Sequence, residues 1–78
     1  MREVKIFLGT IERVKDFVNA VTRLDCDMDI VSGRYVIDAK SIMGIFSLDL
    51  SKPIDLNIHA DGSALDGVMD IIQKYTVE

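Results

Sequence analysis

The chain has one cysteine, Cys26, one histidine, His59, and one proline, Pro53, in 78 residues. A lone cysteine forms no internal disulfide, and the simple reading is a reducing cytoplasm. One histidine and one cysteine do not build a zinc site of the usual Cys/His type, so no metal is expected. No apolar run approaches the roughly 18 residues of a membrane span. Met1-Arg2-Glu3-Val4-Lys5 alternates charge and apolarity and leads into no signal-peptide core. Clustered basic charge is missing as well. Nine Lys+Arg stand against thirteen Asp+Glu, for a net charge of −4. Residues 1–40 carry seven of each sign, and the remainder carries two lysines and six acids. That argues against nonspecific nucleic-acid binding, which needs basic charge to displace counterions. Linkers, repeats and low-complexity stretches are absent.

What the chain does have is apolar residues, 49% of the total. That excludes intrinsic disorder and suffices for one small core, so residues 1–78 are expected to form a single domain. Val4, Ile6 and Leu8 recur at every second position and predict a strand buried mainly on one face. Gly9-Thr10 breaks that pattern. Thr10 is a helix N-cap candidate, and Glu12 sits in the first turn where the helix dipole favours an acid. Val14, Phe17, Val18, Val21 and Leu24 then mark one face of a helix ending near Leu24.

Met28, Ile30 and Val31 predict a second strand, and Tyr35-Val36-Ile37 a third. Ser32-Gly33-Arg34 joins them as a tight turn. Ser41 can cap one or two helical turns over Ile42-Met43-Gly44-Ile45-Phe46. Leu48 to Pro53 reads as a loop. Ile54, Leu56 and Ile58 alternate with Asp55, Asn57 and His59 in the clearest period-two strand of the sequence. Asp61-Gly62 turns the chain. Ser63 with Asp66 resembles a capping box, and Leu65, Val68, Met69, Ile72 and Tyr75 mark a last helix. The order β-α-β-β-short α-β-α predicts an α+β fold, four antiparallel strands with the long helices covering one face.

Lys40-Ser41-Ile42-Met43-Gly44-Ile45-Phe46-Ser47-Leu48 closely resembles the regulatory-serine segment of HPr, the small phosphocarrier of the bacterial phosphoenolpyruvate-dependent sugar phosphotransferase system. The element order, the Ser32-Gly33-Arg34 turn and Ala60-Asp61-Gly62-Ser63 agree with that family. The resemblance implies an HPr-like open-faced sandwich. It also implies a cytoplasmic phosphotransferase-system protein without enzymatic activity or cofactor. HPr proteins carry a phosphorylatable histidine followed by Ala-Arg-Pro at the start of the first helix. Counting back from Ser41 places Thr10 at the histidine position, followed by Ile11, Glu12 and Arg13. A neutral threonine hydroxyl is a weak nucleophile without an adjacent base, and Glu12 repels a phosphoryl group where the family has arginine. Arg13, one position on, is the candidate to compensate.

The resulting expectation is a regulatory protein-binding module without histidine phosphotransfer. Ser41 is its candidate site for an HPr serine kinase. Its partner surface comprises Ile42, Met43 and Phe46 with Thr10 and Arg13. A helix of one or two turns has only one face for the core, so Ile45 and Leu48 are expected inside and Ile42, Met43 and Phe46 outside. Its partners are expected among proteins of the phosphotransferase or carbon-regulation system. Two alternatives stand beside this reading. One is an atypical phosphocarrier of the same system, and the other a small-molecule-binding regulatory domain of the ACT type. His59, on the outward phase of its strand, reads as a surface residue. Cys26 among Asp25, Asp27 and Asp29 reads as inert.

Overall fold

A computed structural model describes residues 1–77. Strand β1 (Arg2–Ile6) leads to helix α1 (Ile11–Thr22), and strands β2 (Asp27–Ser32) and β3 (Tyr35–Asp38) follow as a hairpin. Helix α2 (Ile42–Phe46), strand β4 (Ile54–His59) and helix α3 (Gly62–Ile72) complete the expected order. A 3₁₀ turn (Gln73–Tyr75) and a further short strand, β5 (Thr76–Val77), extend it. The sheet order is β3-β2-β4-β1-β5, and every pairing is antiparallel. The architecture is therefore the expected α+β layer, with five strands rather than four. β5 was not legible because two residues carry no period. It forms because Lys5 and Ile6 have a free main-chain edge, against which Val77 and Thr76 pair.

Period-two patterning sets the core layer. Ile54, Leu56 and Ile58 of β4, Met28 and Ile30 of β2 and Ile6 of β1 are buried under Val14, Phe17 and Val21 of α1 and Val68 and Ile72 of α3. The opposite phase of the strands is polar. There Lys5 Nζ reaches Asp55 Oδ1 at 3.1 Å, and His59 Nε2 lies 2.7 Å from Asp29 Oδ2. Such half-exposed pairs contribute little to stability, at most about 1 kcal/mol. The expected surface position of His59 is borne out.

The β2–β3 hairpin closes with Ser32 opposite Tyr35, leaving the two-residue loop Gly33-Arg34. Gly33 has φ 59° and no non-glycine residue has positive φ, which makes this a type II′ turn. Two expectations fail locally. α3 starts at Gly62 with Asp61 as its N-cap residue, so Ser63 lies inside the helix and no Ser63–Asp66 capping box forms. Asp61 provides no side-chain cap either, because its carboxylate accepts from the Met1 ammonium at 2.9 Å.

Candidate functional site

Two helix starts carry the residues singled out in the sequence. At α1, Thr10 is the N-cap, and its Oγ1 accepts from the Arg13 amide at 3.1 Å. At α2, Ser41 is the N-cap, and its Oγ accepts from the Gly44 amide at 3.3 Å. Both hydroxyls satisfy a helix N–H that has no partner inside the helix. α2 packs against α1 and β3. The Lys40 ammonium donates to the Leu24 carbonyl at 2.8 Å, just beyond the C-terminal end of α1. Lys40 and Thr10 thus mark opposite ends of a helix about 18 Å long. The lysine before Ser41 is engaged in the fold and is no free basic flank.

The expected apolar patch is narrower than the one-face argument suggested. Met43 is 76% exposed, but Ile42 and Phe46 are half-buried and packed against the core. Ile45 is fully buried as expected, while Leu48 is only partly so. The correction has a geometric cause. α2 meets α1 on one side and β3 on another, so residues flanking Ile45 are partly covered on both. Gly44 contributes to the close fit: a Cβ there would lie 3.0 Å from Ile37 Cγ2 and 3.1 Å from Ser41 Oγ.

Arg13 also departs from expectation. Its guanidinium Nη2 donates to the Phe7 carbonyl at 3.0 Å and to the Lys74 carbonyl at 3.3 Å. It lies 5.2 Å from the centre of the Tyr75 ring, with the Lys74 ammonium 5.1 Å from the same ring. These contacts tie α1 to the C-terminal segment, so Arg13 does not compensate at Thr10 for the family's arginine. Nothing in the local pattern announced this, since the partners lie 61 positions away along the chain. Ile11, not singled out in the sequence, is 60% exposed in the first turn of α1. Its spacing of three from Val14 puts it on the apolar stripe, where periodicity reads it as core.

A family model described as "PTS HPr component phosphorylation site" matches residues 12–77. The chain belongs to the HPr family. Among solved structures, HPr-C-His from Thermoanaerobacter tengcongensis is 25% identical with a TM-score of 0.72. The phosphocarrier protein HPr from Bacillus anthracis str. Ames is 23% identical with a TM-score of 0.73. Each alignment covers 95% of this chain and 93% of the other. The HPr fold and the membership in a phosphocarrier family of the phosphotransferase system follow, and proteins of this family act with other proteins of that system. The ACT-type alternative is not carried further. The family match begins after Thr10 and includes Ser41. The chain's one histidine, His59, lies at the end of β4 and not at a helix start.

Proposed function

We propose that residues 1–78 act as one HPr-like domain in the cytoplasm, a regulatory protein-binding module that carries no phosphoryl group on histidine. The observation that supports it most is the start of α1. Its N-cap hydroxyl is Thr10, bonded to the Arg13 amide, and the Arg13 guanidinium is committed to the Phe7 and Lys74 carbonyls. No imidazole and no free guanidinium from Arg13 is left there for phosphotransfer. A threonine hydroxyl without a base is a poor acceptor, and its phosphate ester is a poor donor.

Ser41 is the regulatory residue in this reading. Phosphorylation there adds nearly two negative charges at a helix start, where unpaired N–H groups and the dipole tolerate them. The charge would sit two residues from Met43, the exposed tip of the proposed docking surface, with Ile11 as a second apolar element. Partners presenting Arg or Lys would bind the modified form more tightly, and acidic ones more weakly.

The test has two arms. Incubation with Enzyme I and phosphoenolpyruvate should leave the protein without a labile phosphoryl group. Acid-labile, base-stable label on His59 would establish the atypical phosphocarrier instead. Incubation with an HPr serine kinase and ATP should modify the parent but not Ser41→Ala. Equal modification of both, or of neither, reduces Ser41 to a cap.

A further inference from the structure

β3 is an edge of the sheet. It pairs with β2 on one side and with no strand on the other among the described residues. Edge strands are commonly protected by charge, bulges or covering elements. This one presents Tyr35 at 70% and Val36 at 66% exposure. Its backbone phase can be read from two observations. Ser32 faces Tyr35 across a two-residue loop, and the Ala39 amide donates to the Met28 carbonyl at 2.9 Å. Tyr35, Ile37 and Ala39 therefore turn their main-chain groups toward β2, whereas Val36 and Asp38 turn theirs to the free edge. By strand alternation, Arg34, Val36 and Asp38 also share one face.

An added antiparallel strand must set outward main-chain groups against outward ones. For a second copy related by a two-fold axis, the centre of pairing then falls on Val36 or on Asp38. Centring on Asp38 puts two carboxylates directly opposite, which repels. Centring on Val36 puts the two Val36 side chains together and Arg34 opposite the partner's Asp38, twice by symmetry. Arg34 and Asp38 are both exposed, and the Lys40 amide donates to Asp38 Oδ1 at 2.9 Å, which steadies the carboxylate on this edge. Apolar contact, backbone phase and charge thus select the same register.

We propose that the chain self-associates by antiparallel β3–β3 pairing centred on Val36, joining two sheets into one. Four-residue strands bury little area, so the dimer is weak and transient. This surface is distinct from α2, and the inference does not rest on the regulatory reading.

The experiment is sedimentation velocity with amide NMR from micromolar to millimolar protein. Concentration-dependent association is expected, with the largest shifts at residues 34–38. Val36→Lys sets two ammonium groups face to face and should abolish association. Unchanged circular dichroism and melting will show that this exposed position leaves the fold intact. Arg34→Glu alone should weaken association about tenfold, and adding Asp38→Lys should restore it. Rising salt should weaken the parent dimer. Monomer at every concentration overturns the proposal. So does a dimer that survives Val36→Lys, including one lost instead in Met43→Glu. Failure of the double variant to recover, with its melting intact, overturns it too.

Discussion

Gly9 shows how one residue can be required by the chain's path and not by its contacts. Its φ is 73°, and a Cβ built there would lie 2.7 Å from Phe7 Cε2. The ring can swing away, but the backbone strain remains. Gly9→Ala should therefore lose about 1–2 kcal/mol in denaturant unfolding. Asp49 shows a residue effect of another kind. The Ser51 hydroxyl at 2.5 Å and the Ser51 amide at 3.0 Å both donate to its Oδ1, and with a smaller pull from Lys52 they hold its carboxyl below the ordinary 3.8. A depressed folded-state value means that this turn contributes above the unfolded value and stops contributing as pH falls through the folded one. NMR titration should place the Asp49 midpoint below 3.8, and Ser51→Ala should move it upward.

Helix starts differ in how much their caps contribute. Thr10 and Ser41 each satisfy an amide, whereas Asp61 satisfies none in α3. Thr10→Ala and Ser41→Ala should each lose about 1 kcal/mol, and Asp61→Ala distinctly less, in the same unfolding assay. α2 has five residues, too few to be stable alone. It depends on Ile45 in the core and on Lys40 tied to Leu24. Its exposed tip is energetically independent of that anchoring. Met43→Glu should change stability by less than about 0.5 kcal/mol, while partner binding measured by calorimetry falls. Equal binding by parent and variant would remove Met43 from the docking surface.

The whole molecule is closed by Tyr75. Its ring meets Phe17 edge-on at 5.3 Å between centroids, lies beside Arg13 and Lys74, and is 2% exposed. Its carbonyl accepts from the Phe7 amide at 2.9 Å, so the C-terminal segment is stitched to the end of β1. Tyr75→Ala should lose about 3–5 kcal/mol, as large core truncations do. Tyr75→Phe should behave oppositely. The buried hydroxyl has no protein hydrogen-bond partner, so removing it should leave stability unchanged or raise it by about 1 kcal/mol.

Local pattern determined most of the elements. Alternation in Ile54, Leu56 and Ile58, three-four spacing in Val14, Phe17 and Val21, and hydroxyls at Thr10 and Ser41 each act within a few residues, where sequence spacing is spatial geometry. The Lys40–Leu48 segment was enough to point to the family. The remainder depended on what came from far along the chain. β5 needed the open edge of β1. Ile42 and Phe46 were covered because α1 and β3 flank α2. Arg13, legible only as a charge near a helix start, became a clamp because Lys74 and Tyr75 arrive beside it from the other end of the chain. Such contacts are set by the packing of layers and carry no local signature for periodicity to register.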